Sequence, residues 1–345
     1  MKIKNKHIIL VAILLLLVIK ISALPGDIEK VEEHSESDLG RYLIISRWLS
    51  GEHMPYTGIA YQYPPLYSLM LIPALHLDTE TYVLLLNVIL SILTFFPLYL
   101  ISRKYTGFYQ GIFITSIVII FNLVFSIKSY GYPMILSALL FSWFIYFFID
   151  VYKDKQNYIL STVFFGLLIF TKYVFFYMLP FVIIWLYLQN DKDMQDKLKS
   201  ILMFGIVPGV LFLAWCIRNI LLNSSSVEGA IGGYHTLVTG NFLSIFPETI
   251  PSKLISIITH LEPNTMMLYF MFFIFGILIL YLKKKEIPTF YWVLLVNFII
   301  FFCFPAMTYD RFYLNWRYLA TMTPVYLLLG LIPIFNMIKY RRTLS

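Results

Sequence analysis

Two carboxylates two residues apart, Glu36 and Asp38, stand in the stretch "HSESDLGRYLIISRWLSG", just past the first apolar run of the chain. Asp38 is the better candidate for a general base. A carboxylate near a membrane surface loses part of its hydration, which raises its pKa toward the range where it can take a proton from a hydroxyl. The same residue has a plain structural reading: Ser37 or Asp38 can cap the helix that follows. With Glu36 it can also form a Glu-x-Asp pair for a divalent cation. His34 stands close by, although a loop histidine is usually only solvated. Three cations form the second group. Lys172 sits between two apolar segments, and Arg218 and Arg317 stand at the ends of others. A charge at such a depth is costly and is a functional candidate by default, and an arginine there can grip an anion in bidentate fashion. Their plain reading is snorkelling to headgroups or pairing with acids such as Asp310.

These side chains need a scaffold, and the composition says which kind. The chain is 59% hydrophobic and 13% charged, against about 45–50% and about 25% in soluble domains. Windows of about 20 apolar residues, the length of a bilayer-crossing helix, recur along its length. The fold class expected is all-α: one polytopic membrane domain, 1–345, of about ten transmembrane helices. After a first helix, read as retained although Ile21-Ser22-Ala23 also fits a signal-peptidase site, spans are expected near 80–101, 109–126, 132–149, 158–171, 173–188, 201–221, 265–282, 287–304 and 317–337. The pair 158–171 and 173–188 is short enough to be tilted or broken.

Charge sets the orientation. With both termini in the cytoplasm, 16 of the 26 Lys and Arg fall inside, whereas 13 of the 19 acids fall outside, as the positive-inside rule requires. Topology thus accounts for the net charge of +7, and no nucleic-acid partner is implied. The larger loops, about 25–79 and about 222–264, are then external, and chemistry is expected on that face of a multi-pass cell-membrane protein. Cys216 and Cys303 lie in apolar segments and read as packing thiols. The glycines of "GAIGGYHTLVTG" lack the lysine and the strand-to-helix setting of a phosphate loop and read as a substrate-facing loop. Asn223-Ser224-Ser225 fits a glycosylation sequon.

In the first external loop, apolar residues of "DLGRYLIISRWLSG" recur every three or four positions, an amphipathic helix too short and too charged to span. It is expected to lie on the outer surface with Tyr42 and Trp48 at headgroup level. The prolines of "YQYPPLY" force an extended turn before "LYSLMLIPALHL", which reads as a half-inserted helix.

This order resembles the first external loop of the GT-C membrane glycosyltransferases: an acid just outside the first helix, Tyr42 four residues on, Arg47 and Gly51 closing the surface helix, then "YPPLY". That superfamily includes the protein O-mannosyltransferases, the lipid A aminoarabinose transferases and the polyprenyl-phosphomannose-dependent mannosyltransferases. "GEHMPYTGIAYQYPPL" looks like its mannosyltransferase branches. "GLLIFTKYVFFYMLP" is similar to its Gly-Leu…Thr-Lys segment, "AWCIRNILLNSS" to its Trp-x-x-Arg-Asn, and "NWRYLATMTPVYLLLG" to its Arg-Tyr-Leu…Pro opening of a late helix. Leu39 stands where the family usually has a glutamate beside its catalytic aspartate, and Tyr130 and Tyr132 stand where an acid is often found.

The resemblance implies an inverting transfer of a hexose, most readily mannose, from a polyprenyl-phosphate sugar to an acceptor on the outer face. Asp38 would be the base, and Lys172, Arg218 and Arg317 would hold the phosphate leaving group. Arg47, Tyr42, Tyr61 and Tyr63 would line the substrate site, and an apolar groove would take the prenyl tail. The partners implied are the lipid-linked donor, a lipid, glycan or protein acceptor, and membrane lipids. No cofactor is required; the one candidate metal is a divalent cation at Glu36 and Asp38. Two other readings remain open: a transporter or flippase of a lipid-linked or anionic solute, which calls for polar groups through the bilayer midplane, and a non-catalytic accessory subunit.

Overall fold

The computed structural model describes residues 8–9, 13, 38–51, 64–121, 133–172, 175, 178–189, 193–223, 266–283, 287–288, 290–296 and 315–342. Within them the regular structure is helical: α1 (Asp38–Leu49), α2 (Pro65–Leu71), α3 (Thr79–Thr106), α4 (Phe108–Phe121), α5 (Met134–Phe148), α6 (Lys155–Thr171), α7 (Leu179–Gln189), α8 (Met194–Asn223), α9 (Met266–Leu282) and α10 (Asn315–Arg342). Residues 290–296 add a further helical segment. Each helix satisfies its own backbone polar groups, which lipid cannot do. The fold class is therefore all-α. Each of the nine spans expected after the first contains or overlaps a described helix. Among the described residues, Thr79–Thr106 and Met194–Ala214 are long and apolar enough to cross a membrane, and the other apolar helices run 10–17 residues.

Local chemistry sets several boundaries. Three aspartates cap helices: Asp78 accepts from Thr81 N at 2.9 Å, Asp154 from Asn157 N at 2.6 Å and Asp193 from Asp196 N at 2.9 Å. The bonds from Thr81 hold the Asp78 carboxyl below its ordinary value. α3 ends at Gly107, whose φ of 93° is open to glycine and strained for other residues; α4 starts at the next residue.

α5 lies at the centre, packed on α3, α6 and α10. Every residue from Met134 to Ser142 is buried, as is every residue of α10 from Thr321 to Pro333. A helix apolar on all sides belongs in such a position. α8 is peripheral, with Leu202, Met203, Ile206, Val210 and Leu213 exposed. Aromatic rings fill the contact between them: Phe144 meets Phe165 at 5.2 Å, and Phe204 of α8 meets Phe148 at 5.9 Å and Phe165 at 5.8 Å.

Helix directions follow from paired contacts. Tyr158 OH donates to Ser200 O, and two turns on a Cβ at Gly166 would touch Leu211, Val207 and Pro208; α6 and α8 therefore run parallel. α9 and α10 are parallel too, since Phe273 meets Tyr326 at 5.0 Å and Gly276 meets Gly330. Segment 290–296 runs against α10: Tyr291 OH donates to Leu329 O at 3.0 Å and Tyr326 OH to Leu294 O at 2.8 Å.

The bundle has two unlike ends. At one, Lys104 and Lys153 share the carboxylate of Asp150, with Lys153 at 3.0 Å, and Asn336 Nδ2 reaches Tyr105 O at 3.4 Å. Partial burial pushes the Asp150 carboxyl up, but hydrogen bonds from both lysines and their charges outweigh that and hold it below its ordinary value. At the other end sit α1, α2 and a 3-10 turn at Ile72–Leu75, tied to the start of α3 by Thr79 Oγ1 to Ala74 O at 3.1 Å and Tyr82 OH to Met70 O at 2.8 Å.

One expectation is corrected here. α1 does not present Tyr42 to lipid: Leu39, Tyr42, Leu43, Ile45 and Ser46 are all buried, while Arg41, Ile44, Arg47, Trp48 and Leu49 are half-buried. The reason lies in α2, which covers α1. Tyr67 meets Tyr42 edge-on at 5.1 Å, and Ser46 Oγ lies 2.7 Å from both Tyr42 O and Ser68 O.

Candidate active site

Asp38 is the first helical residue of α1, so its backbone starts the element that the burial of Leu39, Tyr42 and Leu43 anchors. Its side chain, like Glu36, Tyr61 and Tyr63, lies outside the described residues. Arg47 occupies the last turn of α1, half-buried, where the negative end of the helix dipole favours a cation. The helix stops at Gly51 (φ 95°), with Ser50 N donating to Ser46 O at 2.9 Å.

Lys172 terminates α6. Its backbone is extended (φ −151°, ψ 121°), its N–H donates to Leu168 O at 3.1 Å and its carbonyl accepts from Phe175 N at 3.2 Å. The side chain is half-buried. α2 packs on α6, so the α6 terminus, α2 and α1 share one end of the bundle. The backbones of the two arginines belong to the same end by helix direction. In the parallel α6–α8 register, where Tyr158 sits beside Ser200, Ala214 is level with Lys172, and Arg218 is one turn further on. Arg317 is the third residue of α10, whose far end meets Tyr105. The structure thus collects the elements bearing Asp38, Tyr42, Arg47, Lys172, Arg218 and Arg317 at the end opposite the Asp150 cluster; the side chains of Arg218 and Arg317 lie outside the described residues.

Sequence reasoning missed Ser46, Tyr67 and Ser68, which join α1 to α2 and so position the opening turn. Ser46 carried a readable signal, a lone small hydroxyl inside "LIISRWL". Tyr67 did not, since interfacial tyrosines are common in membrane proteins.

Apolar helices with the candidate polar elements gathered at one end define an all-α membrane protein. Comparison narrows the class: residues 62–220 match the family model described as dolichyl-phosphate-mannose-protein mannosyltransferase. No curated protein and no solved structure matches the chain. The match runs from the residue before Tyr63 into the last turn of α8, so it takes in Lys172 and Arg218 but not Asp38 or Arg317. The resemblance to GT-C membrane glycosyltransferases of the mannosyltransferase type is supported over that part of the chain, a little under half of its length.

Proposed function

We propose that the protein moves a hexose, mannose in the first instance, from a polyprenyl-phosphate carrier to a hydroxyl acceptor on the outer face, with inversion. Asp38 takes the acceptor proton as the oxygen attacks the anomeric carbon. The bond to the phosphate oxygen breaks, and Lys172, Arg218 and Arg317 stabilise the charge left on the phosphate. Tyr42 and Arg47 position substrate from α1, with Tyr61 and Tyr63 contributing from the segment that follows. Buried as it is, Tyr42 can act through its hydroxyl edge or by holding α1 against Tyr67. The reaction needs no cofactor; a divalent cation at Glu36 and Asp38 is the one metal this reading allows.

The observation that supports it best is the parallel pairing of α6 with α8, which carries the Lys172 turn and the last turns of α8 to the end where α1 begins. Radiolabelled sugar transfer from polyprenyl-phosphate-mannose into a membrane extract is the test. Wild type is expected to transfer, and Asp38→Asn, inserted at equal level, to lose about 10²- to 10⁴-fold, the usual contribution of a general base. Full transfer by Asp38→Asn excludes the base role. EDTA sensitivity decides the metal.

A further inference from the structure

α10 carries two prolines inside its helical run, Pro324 and Pro333. A proline has no N–H to give the carbonyl four residues before it, so Pro333 leaves Leu329 O without its helical donor. Leu329 is fully buried, and in a membrane interior no bulk water replaces a missing donor. Another element fills the gap: Tyr291 OH donates to Leu329 O at 3.0 Å. The bond is one of a pair. Tyr326, three residues before Leu329 on α10, donates to Leu294 O at 2.8 Å, and Leu294 stands three residues after Tyr291.

Phe273 of α9 touches both rings, stacked on Tyr291 at 5.6 Å and edge-on to Tyr326 at 5.0 Å, and all three side chains are buried. Gly330, the residue after Leu329, meets the α9 backbone at Phe272, where a Cβ would have no room. Both neighbours therefore grip α10 from Tyr326 to Gly330, just before the proline. Arg317 lies 12 residues before Leu329, about 18 Å along the axis. Prolines are where helices bend. A swing of about 10° over that length carries the helix tip through about 3 Å, enough to spoil a well-aimed contact.

We propose that Tyr291 is a positioning residue for α10: it supplies the hydrogen bond that Pro333 withholds, holds the helix at one bend angle, and so fixes where the first turn, with Arg317, stands. The role of Arg317 in this rests on the function proposed above, whereas the bend stands on the hydrogen bonds alone. Tyr326 has a different duty. Its acceptor, Leu294, is followed four residues on by Phe298 and not by a proline, so its bond ties the two elements together without repairing a break.

In Pro333→Ala, residue 333 regains an N–H and the helix serves Leu329 O itself. For the full-length protein in detergent, Tyr291→Phe is expected to lower the thermal midpoint by about 3 °C in the wild-type background and by less than about 1 °C once Pro333→Ala is present, whereas Tyr326→Phe costs the same in both. Spin labels on cysteines placed at Leu77, exposed just before α3, and at Asn315, with Cys216 and Cys303 changed to Ala, report the bend. Their distance distribution is expected to broaden in Tyr291→Phe and to narrow again when Pro333→Ala is added. In sugar transfer, Tyr291→Phe is expected to lower kcat about tenfold with KM for the polyprenyl-phosphate donor unchanged, and the second substitution to restore it; a purely stabilising role leaves kcat per folded molecule untouched. An equal thermal cost in the two backgrounds overturns the proposal, as does a distribution that Tyr291→Phe leaves as narrow as wild type. Unchanged kcat in an active enzyme overturns the positioning of Arg317. If the thermal and spin-label results hold but the wild type itself transfers nothing, the enzyme reading fails and the bend remains assigned to Tyr291. Should Pro333→Ala fail to insert, Pro333→Leu makes the same test.

Discussion

Lys172 leaves α6 with an extended backbone and a half-buried side chain, so its ammonium is held at a helix terminus in a setting of reduced hydration. There a cation interacts more strongly with an anionic leaving group than it would in water. Lys172→Met is expected to lower kcat about 10²- to 10³-fold, the range for one lost electrostatic contact at a developing oxyanion, with Lys172→Arg recovering part of it; steady-state transfer kinetics on matched membrane levels check this. Ser46 makes a structural prediction at the same scale. Its hydroxyl serves Ser68 O across the α1–α2 contact, and Ser46→Ala leaves that buried carbonyl short of a donor, a cost of about 1–3 kcal/mol. A lower thermal midpoint in detergent is the expected result. The position of Lys172 at a helix end was legible because a charge in an apolar run is conspicuous, whereas the partner of Ser46 was not, because contacts 22 residues apart leave no pattern in the chain.

At the scale of elements, glycines separate tight contacts from open ones. A Cβ at Gly330 would lie 2.5 Å from the Phe272 backbone, whereas one at Gly209 meets nothing within 4 Å. Gly330→Ala is therefore expected to force α9 and α10 apart and cost roughly 1–3 kcal/mol, while Gly209→Ala is expected to be neutral in packing; unfolding in detergent distinguishes them. The Asp150 cluster, which joins the end of α3 to the α5–α6 connection, gives a pH dependence. Its folded pKa lies below the ordinary 3.8, so the stabilisation is complete above that value and is lost as the pH falls through the folded pKa. Asp150→Asn is expected to flatten the stability profile below about pH 4. The helices themselves were legible from apolar run length, and the short α2 from "YPPL", since proline presets the first turn. The burial of α1 was not: an amphipathic pattern shows that one face must be covered, and both lipid and α2 can cover it.

For the whole molecule, the unlike ends give the orientation its test. With the Asp150 end in the cytoplasm, as the distribution of Lys and Arg implies, a cysteine at Ser50 is expected to react with an impermeant thiol reagent added to intact cells, and one at Lys153 only after lysis. The reverse pattern would place Lys172 and α1 inside and remove the external-face reading. By itself the sequence determined that the chain is an all-α membrane protein, roughly where its helices lie, and that its chemically unusual charges stand near helix ends. These properties are local: transfer free energy accumulates over about 20 neighbouring residues, and capping acts within a turn. Tertiary structure alone decided that α6 packs on α8, that α2 rather than lipid buries α1, and that Trp185, buried beside an apolar groove, has no acceptor for its N–H among the described residues. Those outcomes depend on which surfaces meet, and among helices whose faces are nearly equal in apolarity that choice rests on shape, small residues and single hydrogen bonds.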